Sequence, residues 1–327
     1  MAIMHEEEIN KEYRPVKIEF LENTGDDRFD IYYKTQALGV TKFVKFVSTN
    51  PDHKEKIRKM LETGMCEEDF YVHESDLFRY YGHATKSLRT FVSDPKVTVQ
   101  EKTKKVYDVS KGIMKDFFEY NASPKILEAS GAVMEIMDEC LSKNVIGFHA
   151  ISQITNRDYY TYTHSVNVGL YCMTFGIKSK MNPEVVRQLG LGGMLHDVGK
   201  SKIRPEIINK DGKLTDEEFQ EMQKHAPWGF DILTDMKCYG PCVVQMAGQH
   251  HEKYKGGGYP RGIAGDEISV YARICKLMDV YDALTTRRSY KKAMTPLDAL
   301  TLMKMQMGPE FDPALLTKFI TLMGPDM

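Results

Sequence analysis

Trp228 is the single tryptophan in 327 residues, and the chain carries almost no net charge: 44 basic against 46 acidic side chains, a formal -2. A balance that close provides no global field for coating a nucleic-acid polymer or for adhering to an anionic membrane. No run of eighteen apolar residues occurs, so nothing reads as a membrane span. The opening MAIMHEEEINKEY is acidic and has no apolar core, so it is not expected to be a secretory signal. Cysteine is scarce too: six residues, at 66, 140, 172, 238, 242 and 275, form no dense framework. They read as reduced thiols of a cytoplasmic protein. Cys238 and Cys242 have no second pair nearby and read as buried thiols rather than a zinc site. Methionine is plentiful, at twenty residues, which suggests cores filled by unbranched, adaptable side chains.

The length suits one large or two ordinary domains. The segments 16–21, 29–35 and 40–48 are rich in β-branched and aromatic residues and predict strands, with a further strand over 69–74. Helices are expected over 51–64 and 76–91. From Pro95 the pattern turns helical, beginning with a charged amphipathic stretch over 97–120 that reads as a connecting helix. Asn121-Ala-Ser-Pro124 punctuates the chain, Ser123 being suited to cap a helix and Pro124 to its first turn. The expected fold is therefore mainly α: a small α+β domain with its connecting helix over 1–123, then a helical bundle over 124–327. Bundle helices are expected around 125–143, 163–177, 183–197, 216–235, 241–251, 269–286, 296–307 and 313–322.

Chemistry concentrates in that second half. Ten histidines occur. His5, His53, His73, His83 and His149 are scattered and read as structural, whereas His164, His196, His225, His250 and His251 fall in one stretch with Asp197 and Asp279. His196-Asp197 and His250-His251 each close a greasy helix-like run. A buried carboxylate beside imidazoles is costly unless a cation neutralises it. Imidazole and carboxylate without thiolate suit iron, manganese, zinc or nickel. Gly190, Gly192 and Gly193, ahead of His196, make sense where helices approach closely. Asp282 lies one turn beyond Asp279 on the same helix face.

The strings YTHSVNV (162–168), LHDVGK (195–200), KLTDEEFQEMQKHAPWG (213–229), HHEKYKGGGYPRGI (250–263), ARICKLMDVYDALTTRRSYKKA (272–293) and FDP (311–313) together resemble an HD-GYP domain, a subgroup of the HD phosphohydrolase superfamily. The resemblance covers roughly 124–327 and implies an HD-type bundle that hydrolyses cyclic-di-GMP. It implies one metal on His164, His196, Asp197 and Asp279, and another on Asp197, His225, His250 and His251. Asp197 would bridge them, with a hydroxide between the ions as nucleophile. Iron is the expected metal, with manganese next. Lys200 is expected to face the phosphodiester beside Asp197, and Asp282, Arg288 and Lys291 to contact the ligand. The loop Gly258-Tyr259-Pro260 carries the family signature. Its tyrosine is assigned to shaping the loop and to contact with a partner such as a GGDEF-domain protein.

Tyr160 stands where some members place a glutamate that helps hold a third metal. A phenol is a poor ligand there, and Asp158 lies on another face, so two ions are expected, with pGpG as product and GMP in doubt. Two other readings stand beside the enzyme: a signalling module that binds the nucleotide without turning it over, and an enzyme for another cyclic dinucleotide or a mononucleotide.

Overall fold

The computed structural model describes residues 12–16, 29–37, 40–48, 70–119, 124–142, 160–287 and 292–324. Its strands β1 (Tyr13–Pro15), β2 (Asp30–Ala37), β3 (Val40–Ser48) and β4 (Phe70–His73) form one antiparallel sheet in the order β1-β4-β2-β3. Ile31, Phe70 and Val72 alternate with outward residues and are buried, as period-two patterning requires. The buried face packs with Leu77, Tyr80, Ala84 and Leu88 of α1 (Leu77–Ser93) in one core. The strands expected over 29–35, 40–48 and 69–74 are found. Beyond Val16, the one expected over 16–21 lies outside the described residues, as do the helix over 51–64 and the Ser123 cap.

Helix α2 (Val99–Glu119) follows, then a 3-10 turn at Pro124–Leu127 and α3 (Glu128–Ser142). The central helix α4 (Thr161–Lys178) is buried on nearly every face from Thr163 to Gly176, the mark of a helix enclosed by others. Helix α5 (Pro183–Leu195) begins at a cap in which Asn182 Oδ1 accepts from the Glu184 amide at 2.9 Å, with Pro183 in the first turn. It ends at His196-Asp197, where the chain tightens into a 3-10 turn, Val198–Lys202. A short α6 (Pro205–Ile208) precedes α7 (Asp216–Gln223), which is opened by the Thr215–Glu218 capping box. The helix expected over 216–235 is two helices, α7 and α8 (His225–Met236), broken at Lys224. Helices α9 (Pro241–Gln249), α10 (Val270–Thr285), α11 (Pro296–Met305) and α12 (Pro313–Leu322) complete the bundle.

One apolar core runs from Ile31 and Val72 of the sheet through Val106, Ile113 and Val133 to Leu277 and Phe319. Helix α2 packs against α1, α3 and α4 alike. The boundary expected at residue 124 marks a change of sequence character, but the core is continuous across it. Met134, Met173, Met194, Met246 and Met278 are buried in that core, as the methionine content suggested. Cys140, Cys172 and Cys275 are buried thiols; Cys238 is exposed and Cys242 half-buried, which corrects the expectation for that pair. Cys238 follows Lys237, whose left-handed φ of 57° ends α8, so the chain leaves the core there.

Helices α4 and α5 meet backbone to backbone. A Cβ at Gly193 would sit 2.9 Å from the Gly169 Cα and from the Val168 carbonyl oxygen, and one at Gly169 would sit 2.8 Å from the Gly190 carbonyl. Only hydrogen at these positions allows that approach.

Candidate metal centre

Four elements bring the histidines together. His164 is in the first turn of α4, His196 and Asp197 follow the end of α5, His225 opens α8, and His250-His251 follow α9. Asp279 comes from α10. All seven side chains expected as ligands converge in two groups, Asp197 with His225, His250 and His251, and His164 with His196 and Asp279. Within each group the donor atoms lie within 4.8 Å of one another.

Asp197 joins the two groups. Its Oδ1 lies 3.3 Å from His225 Nε2 and 3.8 Å from His250 Nε2. Its Oδ2 lies 3.3 Å from His196 Nε2 and 3.7 Å from His164 Nε2. One carboxylate thus presents an oxygen to each cluster. Lys200, one turn later, donates to Oδ2 at 2.5 Å.

The orientation of the rings is set from behind. Nδ1 of His196 donates to the Gly193 carbonyl at 2.7 Å, and Nδ1 of His225 to that of Met222 at 2.6 Å. Nδ1 of His250 reaches the Met246 and Ala247 carbonyls at 3.0 and 3.1 Å. His164 Nδ1 donates to Asp282 Oδ2 at 2.7 Å. A carbonyl or carboxylate can only accept, so each of these Nδ1 atoms carries a proton and each ring turns its Nε2 edge toward Asp197. That backing is how proteins orient metal-binding imidazoles.

Nε2 edges so placed need a cation. His225 Nε2 and His250 Nε2 face each other at 3.2 Å, and His196 Nε2 and Asp197 Oδ1 are buried with no hydrogen-bond partner. Burial pushes His225 down to about 4 and carries His250 and His251 well below the ordinary imidazole range, so protons do not settle between these three rings. His196 goes the other way. Burial opposes its charge, but the Asp197 carboxylate raises it to about 9. Burial alone would also raise Asp197 and Asp279, yet His196 with Lys200, and the His164 bond, hold both carboxyls well below their usual range. Five imidazoles and two carboxylates without thiolate suit divalent transition metals.

Asp282 is not where the sequence reading put it. Expected to touch ligand, it is 1 % exposed, and besides His164 it accepts from Asn167 Nδ2 at 3.0 Å and Thr286 Oγ1 at 3.1 Å. The spacing of three residues from Asp279 does put both carboxylates on one face, but they grip opposite edges of one ring: Asp279 Oδ1 is 3.1 Å from His164 Nε2. Arg288 and Lys291, also expected as ligand contacts, lie outside the described residues, as does Asp158. Tyr160 is exposed and stacks on Tyr162 at 5.3 Å, outside both ligand groups.

Sequence reasoning missed Glu252 and Asn167. Glu252, 1 % exposed, accepts from the Arg261 amide at 2.7 Å and so braces the loop that follows the histidine pair. In that loop Gly256 and Gly257 have φ of 92° and 75°, and Gly258 packs so tightly on the 252–253 backbone that no side chain fits. The Tyr259–Pro260 bond is cis. The Tyr259 ring lies over His251 at 4.5 Å and 21°, so the signature tyrosine shapes the wall of the centre. A polar residue inside a helix buried all round was the available signal for Asn167.

A buried histidine-aspartate cluster in a helical bundle defines a candidate metal-binding protein, and comparison with known proteins gives its family. The family model described as HD domain matches residues 150–315. The chain belongs to the HD domain family. It is 35% identical over 204 residues to the cyclic di-GMP phosphodiesterase PA4108 of Pseudomonas aeruginosa, covering 62% of this chain and 47% of that protein. It is 37% identical over 171 residues to the 3'3'-cGAMP-specific phosphodiesterase 3 of Vibrio cholerae, covering 51% and 36%. The chain thus spans about half or less of the length of these relatives. Among solved structures, the HDG"Y"P protein Bd1817 from Bdellovibrio bacteriovorus superposes with a TM-score of 0.65 over 95% of this chain and 100% of that one, at 17% identity, a likeness of fold. Among the described residues no helix is long and apolar enough to cross a membrane.

Proposed function

We propose that this protein is a metal-dependent cyclic-dinucleotide phosphodiesterase acting on cyclic-di-GMP and releasing linear pGpG. The observation that carries the reading is the Asp197 carboxylate, with one oxygen toward His164 and His196 and the other toward His225 and His250. That arrangement suits two ions, iron being preferred and manganese next, on the two ligand groups. When bound, such a pair supplies an acidified water and Lewis-acid polarisation of the phosphodiester. The residues do the rest. Backed imidazoles hold their lone pairs inward, Asp197 keeps its charge, and Lys200 brings an ammonium to the same carboxylate, where it can meet a non-bridging phosphate oxygen. Arg288 and Lys291 are proposed to hold the ligand's phosphates.

The substrate assignment draws on relatives named for cyclic di-GMP. A second substrate reading, 3'3'-cGAMP, is favoured by relatives named for that molecule. The test is anaerobic purification, elemental analysis, and chromatography of products after incubation with each dinucleotide. Two ions per chain and conversion of cyclic-di-GMP to pGpG are expected, with both lost in Asp197→Ala. A metal-loaded sample that leaves every cyclic dinucleotide intact refutes the enzyme reading, and preference for 3'3'-cGAMP reassigns the substrate.

A further inference from the structure

A line of buried hydrogen bonds leads away from the metal centre. From His164 Nδ1 it passes to Asp282 Oδ2 at 2.7 Å. From Asp282 Oδ1 it continues to Asn167 Nδ2 at 3.0 Å, and from Asn167 Oδ1 to the Tyr107 hydroxyl at 2.8 Å. The four side chains come from three helices, α10, α4 and α2, and none is more than 2 % exposed. The polarity is consistent throughout: the phenol donates to the amide oxygen, the amide nitrogen to one carboxylate oxygen, and the imidazole to the other. The phenol donor and the carboxylate acceptor together fix the amide orientation, and His164 Nε2 is left facing the centre.

Apolar residues would fill that space more cheaply. Phenylalanine at 107 and leucine at 167 have similar shapes and leave nothing to satisfy in the interior. A satisfied buried polar network instead specifies one arrangement of the helices that carry it. Here it ties the ligand helix α4 to α2, which comes from the first part of the chain. At its other end α2 is bound to α1 through Asp116 Oδ2, which accepts from the Tyr81 hydroxyl at 2.6 Å. Arg14 of β1, 2 % exposed, adds its charge near the same carboxylate. Helix α2 also touches the turn Val198–Lys202 that carries Lys200. One helix thus contacts the N-terminal sheet module, the ligand helix and the lysine turn.

We propose that Tyr107 is a positioning residue through which α2 sets the orientation of His164, so that the N-terminal module is coupled to metal affinity. The proposal rests on the metal-centre reading above, and goes beyond it in assigning a route of control. Removing the direct hydrogen-bond partner of a metal-binding histidine typically weakens metal affinity about 10–100-fold; that partner is Asp282, and Tyr107 stands two hydrogen bonds behind it.

The test is calorimetric titration of the metal-free full chain with Mn²⁺, with thermal melting of the same samples before metal is added. Tyr107→Phe deletes only the hydroxyl and should weaken one of two Mn²⁺ binding events by up to about 10-fold, the low end for a direct partner, leaving the metal-free melting temperature near that of wild type. Asn167→Leu breaks the line at its middle and should weaken the same event at least as much. It decides the matter if Tyr107→Phe does not fold. Ser110→Ala removes another buried hydroxyl of α2, one that donates to the Val106 carbonyl at 2.9 Å, and should leave both events unchanged. Wild-type affinities in the two relay variants overturn the proposal, and so does an equal loss in Ser110→Ala. A wild-type chain that binds no Mn²⁺ overturns the metal reading itself, and the relay with it.

Discussion

The Nε2 atoms of His225 and His250 face one another at 3.2 Å, each on a ring whose Nδ1 proton is committed to a backbone carbonyl. Two lone pairs at that distance repel, and burial keeps both rings from protonating near neutral pH. Removing divalent ions should therefore destabilise the fold. With free ion at 100 times its dissociation constant, binding contributes about 2.7 kcal/mol per site. Chelator-treated protein should melt several degrees lower and recover on adding Mn²⁺; identical melting curves would count against the centre.

Lys200 and Asp197 are joined at 2.5 Å with the lysine side chain mostly buried. Replacement by methionine keeps the packing and deletes the ammonium. Loss of one preorganised electrostatic donor typically costs about 100-fold or more in turnover. Lys200→Met should lower kcat on cyclic-di-GMP by that order while elemental analysis still finds two ions. Unchanged kcat would remove Lys200 from the chemistry.

Asp116 predicts a pH dependence of stability far from the centre. Burial pushes its carboxyl up to about 7, against the Tyr81 hydrogen bond and the charges of Arg14 and Lys115. The folded state therefore holds a proton that the unfolded chain releases near pH 4. Its contribution is fully present below that pH and is lost as pH rises to about 7, with a slope of about 1.4 kcal/mol per unit. Above pH 7 the loss is complete. Denaturant melts from pH 4.5 to 8 should show this slope in wild type and its absence in Asp116→Asn. Parallel profiles would show that the proton resides elsewhere.

Gly193 faces the Gly169 backbone with no room for a methyl group. Overpacking of a tight interior contact typically costs about 1–3 kcal/mol. Gly193→Ala should lower stability by that order in urea titrations, whereas Gly212→Ala, at an open turn with positive φ, tests the cost of backbone strain alone. A stable Gly193→Ala protein would mean that α4 and α5 can move apart.

Much of the centre was legible because its chemistry is concentrated: five histidines in one stretch, two of them adjacent and one beside an aspartate, have few structural explanations. Helix limits were legible where capping residues mark them, as at Asn182-Pro183 and Asp312-Pro313. Asp282 was not. Its spacing from Asp279 gave the correct helix face, but the two carboxylates hold opposite nitrogens of one His164 ring, a relation set by how α10 crosses α4. The Tyr107–Asn167 contact spans sixty residues between two helices, and no local pattern announces such a pair. The break beside His225 was legible in the string His-Ala-Pro-Trp-Gly, although the stretch 216–235 around it was read as one helix where the structure has two.

The meeting of α4 and α5 through Gly169, Gly190 and Gly193 bears on how this centre can change over generations. Where helices rest on each other through side chains, each exchange of a core residue alters their separation. Here the closest approach is between main-chain atoms, Gly169 against Gly190 and Gly193, so side-chain size has little leverage at that point. His164 at the head of one helix and His196 at the foot of the other inherit a spacing anchored at that main-chain contact. The core can drift in composition elsewhere while the glycines at this contact keep the two ligand-bearing ends close.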